Sequence, residues 1–192
     1  SGWLRLPAAR LRSRLGRVPE RPWIVPAAIG WLGRRVRRDW RVLELGSGRS
    51  TLWLAKRAGS VLSFEDNSYW QDRASGLLEQ AGLDNAEVRS LPVRSFADEI
   101  AGLPDHSFDL LVVDFLEAPD ATRVEAVRAG RDKVRPRGYL LLDDSDRPSY
   151  AEAHELLSGW RERRFTGVKD EWPAVCETTI FQSPPPASPA SP

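Results

Sequence analysis

Apolar residues follow two rhythms along this chain, and the change of rhythm divides it. Leu4, Ala8, Leu11, Leu15 and Val18 recur at helical spacing with Arg10, Arg12, Arg14 and Arg17 between them. That predicts an amphipathic helix with Pro7 in its first turn. Residues 22–38 read as a second, more apolar helix that covers part of a core. Beyond position 40 short apolar runs take over. They predict strands over 41–45, 60–65, 86–91, 108–114, 138–143, 163–168 and 175–182, with helices over 50–58, 68–81, 94–101, 121–134 and 148–157. Strands alternating with helices imply an α/β, doubly wound, mostly parallel seven-stranded sheet with helices on both faces. No helix separates the last two strands, so the final one is expected to run antiparallel. Residues 183–192, all Ser, Pro and Ala, are expected to be disordered.

Charge sharpens this division. Residues 1–41 hold 11 Arg against Glu20 and Asp39, a balance of +9, whereas the remainder carries 17 basic and 25 acidic side chains, a balance of −8. The expected organisation is a basic helical segment over 1–40 packed on the core, a main domain over 41–182, and the tail. The basic arm faces solvent on the plain reading; contact with a membrane surface or an acidic partner is the alternative. A single cysteine, Cys176, excludes an internal disulfide and a cysteine zinc cluster and fits a cytoplasmic setting. With no methionine even at position 1, a trimmed or processed form is expected.

The candidate chemistry begins where the first strand ends. Gly46-Ser-Gly48 turns the chain at the carboxyl end of that strand, where open sheets bind ligands. The next helix begins near Ser50 or Thr51, and its free N–H groups favour an anionic group. The third glycine of the dinucleotide fingerprint is absent; that position is Thr51. Glu44 stands two places before the first glycine. A pyrophosphate gains nothing from a carboxylate there, but a ligand bearing an ammonium does. Glu65 closes the second strand, where ribose hydroxyls are held. A valine at position 46 is expected to remove ligand binding and leave the fold largely intact.

The run Val42-Leu-Glu-Leu-Gly-Ser-Gly-Arg-Ser-Thr-Leu-Trp-Leu54, followed by Val61-Leu-Ser-Phe-Glu65, resembles the first two motifs of class I S-adenosylmethionine-dependent methyltransferases. Residues 108–114 and 135–143 are similar to the family's fourth- and fifth-strand motifs, with Arg137 where a glycine is usual. The resemblance covers about residues 40–182. It implies a Rossmann-like fold and S-adenosyl-L-methionine as cofactor. Glu44, Gly46, Ser47, Gly48, Ser50 and Thr51 would hold its methionine moiety. Glu65 would take the ribose, and Asp66, Pro92 and Val93 would flank the adenine, with Asp114 also in contact.

Asp114 ends the fourth strand and Asp143-Asp144 the fifth. The layout is similar to the Mg2+ site of catechol-type O-methyltransferases, which would make Asp114, Asp143 and Asp144 metal ligands. An acid replaces that family's amide at position 144, and Glu117 replaces its lysine. Without a metal, Asp114 or Asp144 would serve as general base or orient the acceptor. Residues 114–117 read Asp-Phe-Leu-Glu, unlike the N6-amino methylases, and no nucleic-acid recognition module is visible, so nucleic acid is not expected as a partner. The leading reading is methylation of a small molecule on oxygen. The alternatives are an aminopropyl-transferase-like enzyme or a non-catalytic cofactor-binding scaffold. Trp23, Trp31 and Trp53 are assigned to the core, Trp70 to the adenine side, and Trp160 or Trp172 to the acceptor side.

Overall fold

Period-two alternation in the central strands sends apolar side chains to both faces of one sheet. In β1 (Arg41–Leu45) and β4 (Phe108–Val113), Val42, Leu110 and Val112 enter one core; Leu43, Leu45, Leu111 and Val113 enter the other. A strand buried on both faces needs helices above and below it. The computed structural model describes residues 20–119, 122–170 and 172–186. One face is covered by α1 (Pro26–Gly33), α2 (Arg49–Ala55) and α3 (Ser68–Gln80). The other is covered by α4 (Phe96–Ala101), α5 (Arg123–Gly130) and α6 (Ala151–Leu156).

The remaining strands are β2 (Ser60–Glu65), β3 (Ala86–Ser90), β5 (Val134–Asp143), β6 (Arg161–Val168) and β7 (Val175–Gln182). The seven stand in the order β3-β2-β1-β4-β5-β7-β6. Strands 1 to 5 are parallel, and β7 runs antiparallel to both β5 and β6. This is the expected doubly wound α/β sheet with its antiparallel closing strand. The chain winds outward from β1 to β3 and then returns to place β4 on the other side of β1. The switch point lies between β1 and β4.

Local chemistry sets the element ends. Pro26 fixes the first helical residue of α1 and keeps Val25 extended, so the helix starts later than the apolar pattern implies. Asn67 caps α3 by accepting from the Tyr69 N–H at 3.0 Å. Thr122 and Glu125 form a reciprocal capping box on α5. That helix stops at Gly130, because β5 begins at Val134, four residues before the apolar run. The early part of β5 is extended but irregular, with a register shift against β4 between Phe108 and Leu110. Residues 1–19 and 187–192, where the first helix of the basic arm and most of the tail are expected, lie outside the described residues. Among those described, no helix is long and apolar enough to cross a membrane.

Candidate active site

Gly46 leaves β1 with φ of +95°, a conformation that side chains with a Cβ rarely adopt. Its N–H bonds the Phe64 carbonyl at 2.9 Å, and the Asp114 N–H bonds the Leu45 carbonyl at 3.0 Å. The exits of β1, β2 and β4 are thereby tied together at the switch point. A Cβ on Gly46 would overlap the Asp114 carbonyl oxygen and lie 2.8 Å from its carbon.

Beneath this turn lies a polar network. Glu44 is fully buried, and its Oε2 accepts from the Thr51 hydroxyl at 2.6 Å and the Ser63 hydroxyl at 2.7 Å. Thr51 Oγ1 accepts from the Gly48 N–H at 2.9 Å, and Ser63 bonds the Ser47 hydroxyl at 2.7 Å. Among the described residues Glu44 Oε1 has no hydrogen-bond partner. Burial pushes its carboxyl up to about 7, against the nearby hydroxyls of Ser50, Thr51 and Ser63, and the Asp114 charge adds to the rise. The native state therefore holds the proton between pH 4.5 and about 7, where the unfolded chain has lost it. In that window stability falls as pH rises, by up to about 3 kcal/mol. Glu44→Gln is expected to flatten this fall, read from urea midpoints at pH 5 and pH 7.5. An equal slope in the variant would assign the effect elsewhere.

Glu65 turns both oxygens to backbone donors: Oε2 to Ser47 N at 2.6 Å and Oε1 to Asn67 N at 2.9 Å. Burial raises its pKa and these N–H groups lower it, with the net shift upward.

The strand exits open onto a cavity of about 860 Å³. Gly46, Ser47, Gly48, Ser50 and Glu65 form one side, with the Trp70 ring beside Gly48. Asp114, Glu117, Arg123, Asp144 and Lys169 form the other. Glu44 and Thr51 sit one layer behind the wall, while Asp66, Pro92 and Val93 do not border the cavity. Trp172 lines it, whereas Trp160 packs against the core. Trp23, expected in the core, is 44% exposed at the cavity mouth. Its indole N–H donates to the Asp170 carbonyl, and its ring meets Trp172 edge to face.

The acids at the two central strand ends are paired with cations. Lys169 follows β6 and is almost fully buried; its ammonium contacts Asp143 Oδ2 and, at 2.5 Å, Asp144 Oδ1. Asp143 also accepts from the Thr178 hydroxyl at 2.7 Å, and Thr178 in turn accepts from the Val25 N–H. Arg123, the first residue of α5, donates to the Phe115 and Asp143 carbonyls and pairs with Asp114 at 3.2 Å. Arg147 contacts Asp144 at 2.5 Å. Burial pushes the Asp143 carboxyl up, as does the Asp114 charge, against Lys169. Burial acts the same way on Asp144, but Lys169, Arg147 and Arg123 outweigh it and hold that carboxyl below its ordinary range.

These pairings bear on the metal expectation. Among the described residues no group of three or more His, Cys, Asp or Glu side chains is placed to hold a metal ion. Lys169 occupies the space between Asp143 and Asp144 that a divalent cation would need, so the donor set does not fit Mg2+. Lys169 and Arg123 carried no sequence signal, since their meaning comes from acids far away in the chain.

A family model described as a methyltransferase domain matches residues 43–145. The chain belongs to the methyltransferase-domain family. Its sheet is the Rossmann-like fold of class I S-adenosylmethionine-dependent methyltransferases, and the matched segment spans both exits of the switch point. No curated protein matches the methyltransferase in sequence. Among solved structures it is similar to a SAM-dependent O-methyltransferase from Thermotoga maritima, with TM-score 0.63 and 15% identity over 88% of this chain and 70% of that one. A tRNA methyltransferase from Aquifex aeolicus gives 0.61 and 14%, over 84% and 70%. A putative methyltransferase from Streptococcus mutans, solved in complex with SAH, gives 0.61 and 12%, over 80% and 94%. At these identities the likeness is one of fold.

Proposed function

We propose that this methyltransferase binds S-adenosylmethionine against the Gly46–Glu65 side of the cavity and methylates an oxygen of a small, uncharged acceptor held against Asp114. The observation that carries the reading is the pairing of the inner wall: Lys169 and Arg123 neutralise the acids where a polyamine cation would otherwise sit. This speaks against aminopropyl transfer to a polyamine. A cavity of about 860 Å³ also suits a small ligand pair. The cytoplasmic setting belongs to the same reading and rests on the single cysteine.

The donor side fits its ligand. The turn at Gly46 has no Cβ in the way, Glu65 is held rigid by two backbone donors, and the unpartnered Glu44 oxygen lies directly beneath. When bound, S-adenosylmethionine supplies a methyl group already activated on a sulfonium. The chain's work is then positioning and exclusion of water. Ser47 and Gly48 shape the donor bed, and the Glu65 lone pairs left by Ser47 and Asn67 accept ribose hydroxyls.

Between the two candidate bases, Asp144 is the poorer. It is clamped by two cations that keep it ionised and engaged. Asp114 makes one ion pair and keeps part of its side chain open to the cavity. Its carboxylate is placed to orient an acceptor hydroxyl and take its proton.

Asp114→Asn is expected to lower kcat by about 10²-fold, with donor affinity within about threefold of wild type by calorimetry. Unchanged turnover would remove Asp114 from this role. Turnover on a phenolic acceptor is expected to survive EDTA, and its loss on chelation would restore the metal reading. Absence of S-adenosylmethionine binding would leave the scaffold alternative.

A further inference from the structure

Six large apolar side chains are exposed among the described residues: Trp23, Tyr69, Trp70, Leu116, Trp172 and Val175. Five of them line the cavity, and the sixth, Tyr69, packs edge-on against Trp70 at 5.1 Å. Scattered exposed apolar residues need no explanation, but a set gathered around a single opening does. Trp70 lies on the donor side, beside Gly48. Trp23, Leu116, Trp172 and Val175 lie with the strand exits that hold Asp114 and Lys169.

This rim is built rather than loose. Trp23 and Trp172 meet edge to face, with centroids 6.3 Å apart and planes at 86°. Trp23 donates to the Asp170 carbonyl at 2.5 Å, and Arg21 pairs with the Asp170 carboxylate. The Lys169 ammonium stands 5.4 Å from the Trp23 ring centroid. The lysine that neutralises the inner wall therefore also braces the outer one. Inside, Asp114 is matched by Arg123, and Asp144 by Lys169 and Arg147. Asp146, also in the lining, is exposed and makes no ion pair among the described residues. At the buried acids a charged acceptor finds its partners already matched, and an apolar one finds surface to cover.

We propose that the acceptor carries an apolar body, planar or alkyl, attached to the methylated hydroxyl, and that Trp23 and Trp172 are the residues that select it by covering that body at the mouth. The proposal rests on the cavity being the site of methyl transfer. The occupant is a small amphiphile because the rim is continuous with the cavity and leads inward to Asp114.

The test uses the full chain with 4-methyl-, 4-propyl- and 4-pentylphenol, titrated by calorimetry in saturating S-adenosylhomocysteine. Affinity is expected to rise roughly two- to fourfold for each added methylene as the chain reaches the rim. Trp23→Ala and Trp172→Ala are each expected to lose at least half of that gain, and Trp172→Leu to keep most of it. S-adenosylhomocysteine affinity, measured on every variant, reports whether the donor side is intact. Equal affinity across the phenols, or a gain that survives both alanine variants, overturns the proposal. So does a concentration-dependent dimer that shields both tryptophans and abolishes the response to chain length. Failure to bind S-adenosylhomocysteine counts against the donor reading instead; the phenol series, repeated without it, still decides whether the rim covers an apolar body.

Discussion

Gly46→Val is expected to abolish S-adenosylmethionine binding and to destabilise the fold by about 2–6 kcal/mol. Two costs combine. A β-branched residue at φ of +95° is strained by about 1–3 kcal/mol. Its Cβ must also displace the Asp114 carbonyl, and forced repacking in a filled interior costs about 1–3 kcal/mol more. The exit of β4 would have to move away from β1, carrying Asp114 with it. Urea unfolding and calorimetry with the donor measure the two effects separately. A variant with native stability and native affinity would show that the turn neither bears the strain nor forms the donor bed. This differs from the expectation that the fold survives the change largely intact. A glycine in a strand-to-helix turn announces tightness, but not that a neighbouring strand's backbone lies against it.

Lys169→Met is expected to cost about 3–5 kcal/mol. The ammonium is buried against Asp143, whose side chain is almost wholly inaccessible, and removing one partner of such a pair leaves an uncompensated charge. With Lys169 gone, the Asp143 carboxyl shifts further upward and is protonated more readily. The deficit against wild type should then be largest near pH 8 and shrink towards pH 5, because protonation relieves it. Adding Asp143→Asn should recover a good part of the loss at pH 8, since a neutral amide can still meet Thr178. Equal losses at both pH values, or no recovery in the double variant, would mean that Lys169 contributes packing alone.

Some parts of the molecule were plain in the sequence. The doubly apolar runs of β4 and β5 announced central strands, and the glycine turn with Glu65 announced a tight strand exit, which the structure places at the switch point beside the cavity. Local signals suffice for these. The acid pair at the end of β5 was visible, but its state was not, because Lys169 reaches it from the end of β6 and belongs to another part of the chain. An unpaired Asp143-Asp144 looks like a metal site; a paired one is a salt-bridged wall. Trp23 shows the same limit. Its apolar neighbours imply burial, yet it lines the cavity and bonds Asp170, a partner far along the chain. Glu44 was singled out as a ligand contact, yet it lies beneath the turn and does not border the cavity, a depth that strand periodicity does not encode.

The two sides of the cavity come from separate stretches of chain. Ser47, Gly48, Glu65 and Trp70 follow β1 and β2, whereas Asp114, Lys169, Trp172 and Cys176 follow β4 or flank the β6–β7 connection, joined by the strap at Trp23. Under the proposed roles, mutation can reshape one side without touching the other. Duplicated copies of such a gene could diverge in what they modify while retaining the same methyl donor. Grafting the β6–β7 connection between relatives would be a direct way to retrace that drift.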